Sequence, residues 1–200
     1  FTKEAVFSGV EEGKEYSSYT VITCNNAKKL ELNGSTFSNS SSILTIGNHT
    51  LTAYGEGDYV KEVQFTIKPY FYTSGSTYMS ANGGEKVCTS GARFRIYNSY
   101  NGNTLNSSYY EKIQIDGEDY VNDTSYYYVG NHTLTIYGVN GYVLEVEFVL
   151  TPSVSNLSVG KESTAFKPTI YLSNTNDFTD ETRYVLLDGK EYELNTTIAE

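Results

Sequence analysis

Residues 47–54 read Gly-Asn-His-Thr-Leu-Thr-Ala-Tyr, which places Leu51 and Ala53 on one side of a strand and Thr50, Thr52 and Tyr54 on the other. The next run, 60–68, points Val63, Phe65 and Ile67 inward and Glu62 and Gln64 outward. The alternation returns at Leu134 and Ile136, then at Val146, Phe148 and Leu150, with Glu145 and Glu147 outside. A two-residue period of this kind predicts antiparallel sheet with one wet face. Between the paired runs lie Gly55-Glu56-Gly57-Asp58 and Gly138-Val139-Asn140-Gly141. Their Gly, Asn and Asp tolerate positive φ, so hairpin turns are expected there. No stripe of helical period runs for ten residues.

The alternation is a repeat. Gly34 to Pro69 recurs without insertion as Gly117 to Pro152, at a distance of 83 residues. A third copy starts at 185–200, which resembles 112–127, and Phe1-Thr2-Lys3-Glu4 resembles the run from Phe65 to Pro69. The expected organisation is therefore 1–69, with 1–4 as the tail of a preceding repeat, then 70–152, then an incomplete third domain at 153–200. Each front half is less regular, opening near Gly13, Gly84 and Gly160. Its length varies in a loop, where insertion is tolerated. Turn signals every 8–12 residues suit a two-sheet sandwich of six or seven strands per module. The joints at Pro69 and Pro152 are expected to restrict bending between modules, because Pro fixes φ and has no ladder donor.

The run from Leu32-Asn33-Gly34 through Ile46-Gly47-Asn48-His49-Thr50-Leu51-Thr52 to Phe65-Thr66-Ile67-Lys68-Pro69 resembles the immunoglobulin-like (Ig-like) repeats of bacterial surface proteins and adhesins. The resemblance covers the back halves of both whole modules well and the front halves loosely. It departs at the turns 55–58 and 138–141. It implies an all-β chain of tandem immunoglobulin-like β-sandwich domains. It also implies a non-catalytic segment of an extracellular stalk, adhesin or filament, whose partners are neighbouring repeats or like subunits. It supplies no catalytic residue, because such repeats are mostly spacers.

Charge and chemistry change this little. Fourteen basic against 24 acidic residues give a formal net charge of -10, which disfavours nucleic acid and anionic membrane surfaces. No stretch is long and apolar enough for a membrane-crossing helix, so no membrane insertion is expected in this segment. The chain begins at Phe1 without a basic and apolar leader and reads as a mature or excised piece of something longer. Cys24 and Cys88 do not occupy equivalent repeat positions; a bridge is open, and two small buried thiols are favoured. His49 and His132, the only histidines, share the parity of core residues and lack the nearby His or Cys that a metal site needs. They are expected to seal a module end and tie a loop by a ring hydrogen bond, with pH sensing as the alternative. No cofactor, metal or catalytic constellation is implied.

Two sets of surface candidates remain. Asn-x-Ser/Thr sequons at Asn33, Asn39, Asn48, Asn106, Asn122, Asn131, Asn156 and Asn195 are candidate glycosylation sites if the chain enters a glycosylating route. Tyr109, Tyr110, Tyr126, Tyr127 and Tyr128 are a candidate binding surface, since tyrosine is large, rigid and amphipathic. The second function they suggest is a glycan- or host-protein-binding module using the Tyr-rich loops of domain 2. The competing reading is cross-strand packing of alternate tyrosines.

Overall fold

A computed structural model describes residues 3–73, 79–80, 83–84, 87–89, 92–98, 101–128, 130–151, 153–154, 172–173, 184–187 and 189–193. Among them the chain is all-β, with one 3-10 turn at Ser107–Tyr109. The first module holds eight short strands: β1 (Val6–Ser8), β2 (Lys14–Ser17), β3 (Thr20–Asn25), β4 (Lys29–Leu32), β5 (Ser35–Thr36), β6 (Ser41–Ile43), β7 (Gly47–Tyr54) and β8 (Val60–Lys68). The second holds β9 (Phe71–Thr73), β10 (Met79–Ser80), β11 (Gly83–Gly84), β12 (Val87–Thr89), β13 (Ala92–Ile96), β14 (Lys112–Ile115), β15 (Glu118–Asp119), β16 (Ser125–Tyr126), β17 (Gly130–Gly138) and β18 (Tyr142–Thr151). Further on lie β19 (Ser153–Val154), β20 (Leu172–Ser173), β21 (Tyr184–Leu187) and β22 (Lys190–Glu193).

The two modules have one topology. In the first, a five-stranded sheet runs β2-β8-β7-β4-β5 and a three-stranded sheet runs β1-β3-β6. In the second the orders are β12-β18-β17-β14-β15 and β9-β13-β16. Both five-stranded sheets are antiparallel except at one edge, where β2 and β12 run parallel to β8 and β18. Register repeats as well. Gly47 faces Ile67 and Leu32 faces Leu51; 83 residues later Gly130 faces Leu150 and Ile115 faces Leu134. The two-residue turns Asn33-Gly34 and Asp116-Gly117 hold positive φ at both positions, as a tight hairpin of this hand requires.

Burial follows the alternation except at Thr52, expected on the wet face, and its counterpart Thr135, which are buried as well. Leu51, Ala53, Val63, Phe65 and Ile67 are buried, as are Leu134, Ile136, Val146, Phe148 and Leu150. They meet the opposite sheet: Ile22 and Ile43 join the first core, and Phe71, Phe94 and Ile96 join the second. Each module is thus a pair of sheets over a shared apolar interior. Cys24 is a free buried thiol whose pKa is pushed up by burial.

The front halves are related differently from the alignment at Gly13 and Gly84. Glu15 pairs with Thr66 where Val87 pairs with Val149, which sets Gly13 against Glu85, one residue off. Thr20 pairs with Ile43 where Ala92 pairs with Tyr126, so the repeat distance there is 72 and the stretch between β13 and β14 is longer by 11 residues. A short parallel edge strand carries too few alternating positions to mark its own register.

Candidate functional site

The features most distinctive of this chain lie where the modules meet. The segment from Leu44 to Asn48, between β6 and the start of β7, runs against the β17–β18 turn of the second module. The Ile46 N–H donates to the Tyr109 carbonyl at 2.8 Å, the Val139 N–H donates to the Ile46 carbonyl at 2.9 Å, and the Asn48 N–H donates to the Val139 carbonyl at 3.1 Å. Gly47 and Val139 form a parallel bridge. Side chains reinforce the backbone: Asn48 Nδ2 donates to the Asn140 carbonyl at 3.2 Å, and Asn140 Nδ2 returns a bond to the Asn48 carbonyl at 2.7 Å.

Two glycines make that approach feasible. A Cβ on Gly47 would lie 2.4 Å from the Val139 carbonyl oxygen, and one on Gly138 would lie 2.4 Å from the Ile46 carbonyl oxygen. Any side chain at either position forces the backbones apart. Once they are in contact, Ile46 is 0% exposed and belongs to the second module's core, with Ile96 and Leu105 among its members. Leu44 packs against the same cluster. Leu105 comes from the 11-residue extension, and its N–H is held by the Ile96 carbonyl at 3.0 Å. The extension therefore builds a socket for the neighbouring module. Burying one isoleucine this way stabilises the contact by about 2–3 kcal/mol.

The histidines brace the end of each module. His49 is 2% exposed, stacks on Phe65 at 5.4 Å, and its Nε2 lies 2.8 Å from the Thr45 carbonyl. Its Nδ1 lies 3.1 Å from Asn33 Nδ2. A neutral ring with the proton on Nε2 satisfies both contacts: it donates to Thr45 and accepts from Asn33. In the second module His132 Nε2 meets the Tyr128 carbonyl at 2.8 Å, but Nδ1 faces Asp116 Oδ2 at 2.6 Å. Both of these partners are acceptors, and the Tyr126 hydroxyl also lies 3.3 Å from Nδ1. Asp116 stands where Asn33 stands, so one residue exchange replaces a donor beside Nδ1 with an acceptor. Burial works to raise the Asp116 pKa but is outweighed by the bonds from His132 and the Thr133 N–H, and the net shift is downward.

Burial lowers the His49 pKa below its ordinary 6.5, opposed in part by the Thr45 carbonyl. Protonation then favours the unfolded chain, so the stabilisation is complete above pH 6.5 and declines as pH falls. The first module is expected to melt at constant temperature from pH 8 to 7 and progressively lower from pH 6.5 to 5, above the range where carboxylates titrate. Thermal melts of the wild type and of His49→Gln, which should be flat over that window, check this.

The tyrosines divide. Tyr109 and Tyr110 pack on the second core, and Tyr109 supplies the carbonyl that receives Ile46. Tyr126 stands edge-on to His132 at 5.0 Å, and its hydroxyl pKa is pushed up to about 12 by burial first and by Asp116 next. Tyr127 and Tyr128 are 41% and 48% exposed.

The sequon asparagines divide too. Asn39 Nδ2 donates to the Cys24 carbonyl and its Oδ1 accepts the Cys24 N–H, at 2.9 and 2.8 Å. Asn122 repeats this at Ile96 and adds a bond to the Leu105 carbonyl at 2.9 Å. Asn33 and Asn48 spend their Nδ2 groups on His49 and Asn140. Asn106 and Asn131 are exposed, while Asn156 and Asn195 lie outside the described residues. The roles of Asn39 and Asn122 are invisible as sequons; the available signal is that they stand 83 residues apart.

A groove of about 710 Å³ on the outer face of β7 and β8 is lined by Glu31, Thr52, Tyr54 and Glu62. These groups satisfy one another: Tyr54 donates to Glu31 at 2.8 Å and Thr52 to Glu62 at 3.1 Å. Among the described residues no three His, Cys, Asp or Glu side chains converge to hold a metal ion. No protein-family model matches the chain, and no curated protein matches it in sequence.

Proposed function

We propose that this chain is a structural repeat segment of an extracellular stalk, adhesin or filament, built from tandem immunoglobulin-like sandwiches and working without catalysis. The observation that carries the reading is Ile46, a residue of one module buried in the interior of the next. A flexible string of independent domains needs no such residue. A load-bearing or length-setting rod does, because backbone bonds, a carboxamide pair and a buried side chain together oppose bending at the joint. Pro69, between β8 and β9, is buried. Residual dipolar couplings measured on the whole chain should fit one alignment tensor for residues 6–68 and 92–150. Two unrelated tensors would mean independently moving domains and would remove the basis for the rod.

Exposed Tyr127 and Tyr128 favour a second reading, in which the far end of domain 2 binds glycan or a host surface protein. A glycan array probed with the whole chain separates the two, and absence of capture at high concentration leaves the spacer. If the chain is glycosylated, Asn106 is the acceptor best placed to carry sugar, since it is exposed and uses Oδ1 rather than Nδ2 to hold the Ser108 N–H.

A further inference from the structure

The second module carries a pocket of about 540 Å³, lined from the β14–β15 hairpin, from β16 and from the residues just beyond each. Its size falls within the range of small-molecule sites, roughly 300–1,000 Å³. The hairpin supplies Asp116, Glu118 and Asp119, and three rings come from Tyr120, Tyr126 and Tyr128. No lysine or arginine is among the lining residues. Tyr126 and Tyr128 lie with ring centroids 5.1 Å apart and planes inclined at 47°, an open corner rather than a closed stack. The Tyr126 hydroxyl is 3.4 Å from Asp116 Oδ2, so ring and carboxylate adjoin. Tyr120 is fixed in place: its hydroxyl donates to the Thr124 carbonyl and accepts the Phe94 N–H at 3.0 Å.

The carboxylates are unequally satisfied. Asp116 meets His132 and the Thr133 N–H. Asp119 accepts from Gln114 Nε2 at 3.1 Å, a neutral group. Among the described residues neither Asp119 nor Glu118 has an ion-pair partner.

The first module shows that the fold does not require this chemistry. Across the 83-residue repeat, the places of the three acids and three tyrosines are held by Asn33, Ser35, Thr36, Phe37, Ile43 and Thr45. The hairpin closes alike, Leu32 facing Ser35 as Ile115 faces Glu118. The other sheet pairs alike, Thr20 with Ile43 as Ala92 with Tyr126. Neutral side chains and one ring therefore suffice to build the same frame. Solubility accounts for carboxylates on an exposed hairpin, but not for a ring beside them: Tyr128 is 48% exposed, and a ring left in water adds little to stability. Aromatic faces attract cations, and adjacent carboxylates add net charge, so the pair selects a positive group with an apolar body. The acids do not converge as metal ligands would. The same charges repel phosphate, sulfate and acidic sugars.

We propose that this pocket is a binding site for an organic ammonium ion, held over the tyrosine rings with its charge toward Glu118 and Asp119. The proposal goes beyond the stalk reading and does not depend on it.

Amide NMR of the whole chain tests it, with n-butylammonium and tetramethylammonium chloride titrated separately against sodium chloride at equal ionic strength. Saturable shifts are expected at 115–120 and 126–128, with none at 32–37, where the first module's hairpin is the internal control. Tyr128→Ser and Glu118→Gln/Asp119→Asn should each weaken binding by at least about threefold. All three residues are exposed, and the amide signals of 142–150 report that the module stays folded. Tighter binding of n-butylammonium marks a primary amine, such as a lysine side chain, as the ligand's chemistry; tighter binding of tetramethylammonium marks a fully alkylated one. Shifts that follow ionic strength without saturating, equal saturable shifts at 32–37, or binding indifferent to both variants overturn the proposal. Saturable shifts with a neutral sugar, methyl glucoside, and none with either ammonium overturn it too and favour the glycan reading.

Discussion

Replacing Ile46 with aspartate is expected to split unfolding into two transitions and to destabilise the second module by about 3–4 kcal/mol, although the substitution lies in the first. Ile46 is fully buried among side chains of the second module, so a carboxylate cannot stay there unpaired. The segment from Leu44 to Asn48 would withdraw, exposing Ile96 and Leu105 to water and releasing the bonds to Tyr109 and Val139. The first module loses less, because its own core of Ile22, Ile43, Leu51, Val63, Phe65 and Ile67 does not contain Ile46. Ile46→Val should cost about 1 kcal/mol and keep one transition, since it removes a methylene and adds no charge. Urea unfolding followed by hydrogen exchange at β7 and at β17 resolves the modules separately. A single unshifted transition in the aspartate variant would show that the joint couples nothing.

The alternating runs were legible because a strand with one wet face states its burial at every second residue. Val63, Phe65 and Ile67, with their partners at 146, 148 and 150, needed nothing beyond parity. The turn at Gly138-Val139-Asn140-Gly141 was legible for a similar reason, since few residues accept the positive φ found at Asn140 and Gly141. Ile46 was a different problem. An apolar residue ahead of a strand looks like core, and nothing in the local pattern says whose core. Its destination depends on Gly47 and Gly138 letting two backbones touch, a fact about two sites 91 residues apart. The asparagines were obscured by composition. In a chain rich in Ser and Thr, Asn39 and Asn122 look like chance sequons, and the strands they serve are distant in sequence. The exchange of Asn33 for Asp116 is plain in the alignment, yet its meaning appears only once His49 and His132 are placed beside them.

Asn122→Ala is expected to destabilise the second module by about 3 kcal/mol, and Asn39→Ala the first by about 2 kcal/mol. In each module the carboxamide acts as one more rung beside the central strand of the smaller sheet: it accepts the N–H and donates to the carbonyl of one residue, Ile96 or Cys24. Alanine leaves both backbone groups without that partner, and partly buried groups so stranded keep most of their desolvation cost. Asn122 also holds the Leu105 carbonyl, hence the larger figure. Asn122→Asp should fall between wild type and alanine, because a carboxylate still accepts the Ile96 N–H but cannot donate to either carbonyl. Leu105 is a wall of the socket for Ile46, so the two sites should not be independent. A double-mutant cycle of Asn122→Ala with Ile46→Val should give a coupling energy of at least about 0.5 kcal/mol, read from urea unfolding of the second module. Strict additivity would mean that the extension carrying Leu105 holds its shape without Asn122, and that the socket is set by Ile96 and the β17–β18 turn alone.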